Sequence, residues 1–172
     1  IIMNTINNNW ILWYHSLTDN KWTKTSYKNI YKISNLVELK VVVDSINQEH
    51  LQDGMYFLMR ENIFPNWEDP DNREGGCWSY KILSKNVKKI WDNVLLNCVY
   101  EKIINDENLE NEENVEKNIE EINGVSISPK KKFNILKIWN RHSNNNETLN
   151  LEIINKIIGD ENVIYKKHII EE

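Results

Sequence analysis

Trp67 and Glu68 stand side by side in the run Pro65-Asn66-Trp67-Glu68-Asp69, and a second indole, Trp22, lies upstream among Asp19, Asn20, Lys21, Thr23 and Lys24. Downstream comes the basic run Lys130-Lys131-Lys132. Two indoles without an obvious packing partner, a carboxylate beside one of them and a separate basic cluster are the groups needed to hold a cationic, phosphorylated purine. Methylation at N7 gives guanine a positive charge, and the electron-rich face of an indole attracts a desolvated cation by about 2 kcal/mol. A carboxylate at the rim accepts hydrogen bonds from guanine N1 and N2, and such charge-assisted bonds are about twice as strong as neutral ones. Adenine lacks that pair of donors. Lysines farther out would neutralise the phosphates and make binding depend on salt.

Each of these residues also has a plainer reading. Glu68, Asp69 and Asp71 around Pro70 fit an ordinary acidic turn or a metal loop, although a calcium loop counted from Asp69 requires glycine where Glu74 stands. Lys130 to Lys132 fits a solvated turn between strands. Trp10, Trp78 and Trp91 fall in periodic apolar patterns and are expected in the core, with Trp13 open between the two roles. His15, His50, His142 and His168 show no metal-ligand spacing, and neither a nucleophile elbow nor a phosphate-binding loop is present. A non-enzymatic protein without a cofactor or metal is expected.

The elements that must carry these groups follow from periodicity. Trp10 to His15 alternates into two faces, Trp10, Leu12 and Tyr14 against Ile11, Trp13 and His15, which is strand spacing; Met55 to Met59 and Trp78 to Leu83 read likewise. Leu36, Leu39, Val43 and Ile46 recur at helical spacing behind the capping pair Asn35 and Glu38. A second helix is expected from about Lys85 to Tyr100, capped by Ser84, with Val87, Ile90, Trp91, Val94 and Cys98 on one stripe and Asp92 and Leu96 opposite. Ile135 to Asn140 reads as a strand, Leu149 to Ile158 as a third helix ended by Gly159, and Val163 to Ile170 as a last strand. Strands and helices without a regular βαβ rhythm point to the α+β class.

Length and charge set the remaining bounds. At 172 residues and 40% hydrophobic content, with seven tryptophans, residues 1–172 are expected to form a single domain. No apolar run approaches the roughly 20 residues of a membrane span, and no secretory leader is recognised. Cys77 and Cys98 form no disulfide framework and are expected to be reduced. The net charge is −5, yet an acidic insert at about residues 105–121 alone carries −7, which leaves +2 for the rest. A basic, anion-binding face is therefore compatible with the acidic total, whereas a grip on long nucleic acid is not expected. Val115, Ile119 and Ile122 give the insert a weak helical stripe, and its Asn and Glu content equally suits a solvated loop.

The series Trp10-Ile11-Leu12-Trp13-Tyr14-His15, Lys21-Trp22, Pro65-Asn66-Trp67-Glu68-Asp69, Gly75-Gly76-Cys77-Trp78, Trp91 in a helix and Ile138-Trp139 in a strand resembles the eukaryotic translation initiation factor 4E family, from Trp10 to about His168. The resemblance implies a curved antiparallel sheet with helices on its convex back and the mRNA cap on its concave face. It implies that Trp22 and Trp67 stack on the cap base, that Glu68 reads the guanine edge, and that Trp139 lies near the N7-methyl group. Lys130 matches a phosphate-binding arginine of the family, which keeps the charge and loses the bidentate fork. A further phosphate-binding lysine of the family falls on Ile135, with Lys132 or Lys137 as candidates to replace it.

The resemblance also implies a partner surface on the helices, where this chain departs from the family pattern. The family's docking tryptophan on the first helix falls on Lys40, or on Val41 in a shifted register, near Val37; on the second helix one docking leucine falls on Asp92 and the other is Leu96. An indole at an interface centre often contributes about 2 kcal/mol, so its loss implies a scaffold-type initiation factor or inhibitor that docks through a non-standard motif. A family loop near the cap phosphates is expected to be shortened or absent. The implied function is recruitment of capped mRNA for translation initiation by a cytoplasmic monomer without membrane contact. The alternatives are a cap-binding repressor that does not recruit the usual scaffold and an interaction module that has lost the cap.

Overall fold

The two-face alternation of Trp10 to His15 lies inside strand β1, Thr5–Ser16, and the computed structural model describes residues 4–105, 120–159 and 162–169 around it. The other strands are β2 (Tyr27–Asn35), β3 (Gly54–Arg60), β4 (Gly76–Leu83), β5 (Ile122–Pro129), β6 (Phe133–Asn140) and β7 (Ile164–Lys167). They form one curved sheet in the order β2-β1-β3-β5-β6-β4-β7, with every neighbouring pair antiparallel. Among the described residues the α-helices are α1 (Leu36–Ser45), α2 (His50–Asp53), α3 (Val87–Val99) and α4 (Leu151–Ile158). The α+β class and the antiparallel sheet agree with the sequence reading.

Local chemistry explains the helix ends. Asn35 Oδ1 accepts the Glu38 backbone N–H at 3.0 Å, and Glu38 returns a bond to the Ser34 N–H at 2.6 Å, so the expected cap of α1 is present one residue wider than the standard box. Asn150 caps α4 through the Ile153 N–H, and Gly159 ends it in the left-handed region at φ 71°, where a side chain would be strained. Ser84 is not the cap of α3. Its carbonyl closes a 3-10 turn, Ser84–Asn86, and its hydroxyl reaches Asn134, so α3 starts at Val87 rather than Lys85. Two further corrections concern strands. Ile122 opens β5 instead of continuing a helical stripe, and the last strand covers Ile164–Lys167 only. Val115, Ile119, nearly all of the acidic insert and Ile170 lie outside the described residues.

One sheet face and the helices enclose the main core, which holds Trp10, Leu12, Leu58, Trp78, Tyr80, Trp91, Val125 and Ile138. Trp10, Trp78 and Trp91 are buried as expected. The opposite face carries a smaller apolar cluster of Tyr27, Phe57, Met59, Ile63, Cys77 and Trp139, with Trp13, Met55 and Phe64 packed against it. Trp13 belongs to this second cluster. A buried ion pair closes one end of the sheet: Arg60 meets both carboxylate oxygens of Glu101 at 2.7 and 2.8 Å, donates from Nε to the Ile122 carbonyl and lies over the Trp10 ring. No helix among the described residues is long and apolar enough to cross a membrane.

Candidate ligand site on the open face of the sheet

Strand register determines what the open face presents. Trp13 of β1 lies opposite Phe57 of β3, Phe57 opposite Ser126 of β5, Ser126 opposite Lys137 of β6, and Lys137 opposite Ser79 of β4. In the next row Met59, Gly124, Trp139 and Cys77 line up in the same way. Aromatic edges connect across it: Trp22 to Tyr27 at 6.1 Å, Tyr27 to Phe57 at 5.6 Å and Phe57 to Trp139 at 6.5 Å between centroids. An aromatic floor of this kind favours a flat ring over a hydrated chain.

Trp22 stands on the loop after β1, half-exposed, and one of its two faces is covered. The His15 ring lies parallel to it at 4.0 Å between centroids with an interplanar angle of 7°. The loop beneath is held by the Lys21 N–H to Asp19 Oδ1 and by His15 Nε2 against the Lys21 carbonyl. Trp67 is equally half-exposed, on the loop between β3 and β4. Asn66 joins the two loops through its Nδ2, which donates to the Trp22 carbonyl at 3.3 Å, while its Oδ1 accepts the Glu68 N–H at 2.9 Å. Trp22, Asn66, Glu68 and Asp69 share a cleft of about 400 Å³ with Phe64 and Pro70.

Asn72, fully buried, organises the loop that bears Trp67 and Glu68. Its Nδ2 donates to the Phe64 and Asn66 carbonyls, its Oδ1 accepts from Asn123 Nδ2, and its own carbonyl faces His168 Nδ1 at 2.7 Å. Asp69 adds bonds from the N–H groups of Phe64 and Asp71, so the acidic turn folds on itself. The exit is pinned at Gly75, where any Cβ would stand 1.8 Å from the Asn140 carbonyl oxygen. Asn72→Ala would remove three side-chain hydrogen bonds, while the Phe64 and Asn66 carbonyls keep the Asn66 and Asp69 N–H groups and Asn123 keeps the Asp71 carbonyl, and each bond lost costs about 0.5 to 1.5 kcal/mol. The variant is expected to lose about 2 kcal/mol or more in a urea unfolding titration.

Trp139 is buried at the centre of the face, and its Nε1 donates to Ser126 Oγ at 3.0 Å. His168 packs against it at 5.2 Å between centroids, with Nε2 at 3.2 Å from Cys77 Sγ. Burial pushes the Cys77 thiol up to about 12, so Cys77 is a neutral packing partner and not a nucleophile. Burial, aided by the Lys137 charge and opposed by the Asn72 carbonyl, holds His168 below its ordinary value. The fold therefore prefers the neutral ring, and the unfolded chain binds the extra proton. This contribution to stability is full above about pH 6.5 and is lost progressively as the pH falls below it, towards the lowered folded value. Thermal unfolding is expected to show a falling midpoint over that acidic range, with a shallower slope in His168→Gln.

The lysines divide. Lys130 and Lys137 line a cavity of about 190 Å³ together with Met55, Phe57, Ser126, Ile135 and Trp139. Lys132 is exposed in the turn between β5 and β6, which the Lys130 N–H closes onto the Phe133 carbonyl. The lysines that share a cavity with Trp139 are thus Lys130 and Lys137, and Ile135 gives it an apolar wall.

On the helical side Val37 and Val41 are exposed, and Lys40 pairs with Asp44. Asp92 pairs with Lys88 at 2.7 Å, and Lys88 Nζ also donates to the Val43 carbonyl, which fastens α3 to α1. Leu96 is half-buried against the core. Burial raises the Asp92 carboxyl, with Lys88 pulling the other way. The centre of this surface is polar.

The two indoles singled out in the sequence are half-exposed and Glu68 shares a cleft with Trp22, while His15, Asn66 and Asn72, which hold these loops, carried no assignment in the sequence. His15 had one usable signal, a polar ring alternating onto the same strand face as Trp13.

The family model "Eukaryotic initiation factor 4E" matches residues 5–169. The eukaryotic translation initiation factor 4E of Saccharomyces cerevisiae is 25% identical over 147 residues, covering 81% of this chain and 63% of that protein. That of Candida albicans is 29% identical over 147 residues, 79% of this chain and 64% of the relative. The chain thus spans under two thirds of the length of these relatives. Among solved structures, the complex of Caenorhabditis elegans eIF4E-3 with the 4E-binding protein Mextli and cap analog has a TM-score of 0.75 at 19% identity, covering 96% of this chain and 92% of that one. The Ascaris suum eIF4E-3 complex with m2,2,7G cap scores 0.76 at 20% identity, covering 98% and 93%. Those likenesses establish the fold, and the match over residues 5–169 places the chain in the eukaryotic initiation factor 4E family.

Proposed function

We propose that this chain is a non-enzymatic, cytoplasmic mRNA cap-binding domain that holds 7-methylguanosine between Trp22 and Trp67. The observation that carries the reading is the pairing of two half-exposed indoles on loops joined by the Asn66 to Trp22 hydrogen bond, with Glu68 in the same cleft as Trp22. His15 covers one face of Trp22, so the other face is the one available to a base. Glu68 accepts the guanine N1 and N2 donors, Trp139 approaches the methyl group, and Lys130 and Lys137 meet the phosphates, with Lys132 at the edge. Proteins of similar fold solved with cap ligands support this assignment. Capped RNA should be retained by the protein and released by 7-methyl-GTP but not by GTP; release by both nucleotides alike would overturn the reading.

Recruitment for translation initiation is the function that follows if a scaffold docks on α1 and α3. The solved neighbours include complexes with 4E-binding proteins, which supports a helical docking face. Here that face offers Val37 and Val41 as apolar contacts and Leu96 at its margin, with the Lys40–Asp44 and Lys88–Asp92 pairs between them. A partner must therefore bring polar groups that satisfy these pairs, a non-standard motif. The same polarity favours, as a second reading, a repressor that holds the cap and recruits no standard scaffold. A standard scaffold peptide is expected to bind only weakly; nanomolar binding would contradict both versions of the altered surface.

A further inference from the structure

His15 is completely buried, and both of its ring nitrogens face acceptors: Nδ1 the Ser16 carbonyl at 2.8 Å and Nε2 the Lys21 carbonyl at 2.7 Å. A neutral imidazole carries one N–H and could donate to only one of them, turning a lone pair on the other carbonyl. Only a ring carrying hydrogen on both nitrogens would donate to both. Its ring plane lies flat against Trp22, and Tyr27 closes the edge at 4.9 Å.

We propose that His15 is a specificity-determining and positioning residue of the ligand site: a protonatable ring beneath Trp22 whose charge weakens the pull of this indole on a cationic base and makes the preference for methylated guanine depend on pH. The inference rests on the cap-binding reading. An indole face attracts a cation through its negative quadrupole. With imidazolium on one face, a methylated base on the other shares that attraction and meets a like charge across the ring. Loss of the proton removes the competitor and leaves the stack.

Three elements face His15. β2 presents Tyr27, whose phenol burial pushes up to about 12, and β3 presents Met55 opposite His15 in register. The loop above carries Asp19 and Lys21, which are joined through the Lys21 N–H. By linkage, a cationic ligand on Trp22 favours release of the His15 proton, whereas unmethylated guanine does not. Loosening of the loop on deprotonation would affect both nucleotides alike and drops out of their ratio.

The test is the ratio of 7-methyl-GTP to GTP affinity from about pH 8 to about pH 5 for wild type and His15→Phe, which keeps a stacking ring without charge. Ionisation of the ligands affects both proteins equally. The wild-type ratio is expected to fall on acidification by about fivefold more than that of His15→Phe. Parallel ratios with intact methyl preference overturn the proposal and leave the cap reading standing. A wild type that binds neither nucleotide overturns the cap reading and this inference with it. Should His15→Phe fail to fold, nitrogen-15 spectra of the wild-type imidazoles serve instead. Two protonated nitrogens on free His15, with titration moved to lower pH by 7-methyl-GTP, support the proposal; a single neutral tautomer throughout overturns it.

Discussion

Trp67→Ala and Trp22→Ala are each expected to lower the affinity for 7-methyl-GTP by about a hundredfold or more, while GTP binding falls much less. A desolvated cation–indole contact contributes about 2 kcal/mol, and base stacking on an aromatic ring adds about 1 to 3 kcal/mol, of which the charge-dependent part is absent for the neutral base. Both indoles are half-exposed, so truncation removes little buried area and the folded state should persist. Trp91→Ala makes the contrast. That ring is enclosed in the main core, and its removal should cost about 3 to 5 kcal/mol of stability rather than act on the ligand. Fluorescence titration of the two loop variants, with urea unfolding alongside, separates binding from folding.

Glu101→Ala is expected to produce the largest loss of stability of any single polar substitution described. The carboxylate accepts both guanidinium nitrogens of Arg60, and the two side chains are 5% and 8% exposed. Removing one member of a buried ion pair costs about 3 to 5 kcal/mol, here because Arg60 keeps the Ile122 carbonyl but loses its bidentate carboxylate. Glu101 also accepts from Asn8 Nδ2 and sits at φ 57° just past the end of α3, where its N–H bonds the Cys98 carbonyl and the Lys102 N–H bonds the Asn97 carbonyl. Replacing both partners, Arg60→Met with Glu101→Leu, should recover much of the loss, because the pair's net contribution is small once its desolvation is counted. Urea midpoints of the three proteins test this, and a Glu101→Ala midpoint equal to wild type would contradict it.

Periodicity made some elements readable and left others hidden for physical reasons. β1, β4 and β6 send alternate residues into the main core, and β3 is apolar on both faces, so all four stand out as strands. β2 is an edge strand whose exposed Lys28, Asn29, Ile30 and Lys32 obscure any pattern, and β5 follows the acidic insert with Asn123, Gly124, Ser126 and Ser128 among its apolar residues. Asn123 is buried because it bonds the Asp71 carbonyl and Asn72 Oδ1, a contact between distant segments that no local window reveals. In the site, Trp22, Trp67 and Glu68 stood out because exposed indoles and a neighbouring acid lack a packing explanation. The residues that position them did not. Asn72 looks like any loop asparagine until its bonds to Phe64, Asn66, Asn123 and His168 are assembled, and His15 gains its role only when the chain returns Trp22 onto its ring.

The most direct measurement is quenching of intrinsic tryptophan fluorescence by 7-methyl-GTP and by GTP on the wild-type chain, repeated with Glu68→Ala. Strong preference for the methylated nucleotide is expected in the wild type and its collapse in the variant, with the fold intact in both. Equal, weak quenching by the two nucleotides in correctly folded wild type would contradict a cap site at Trp22 and Trp67.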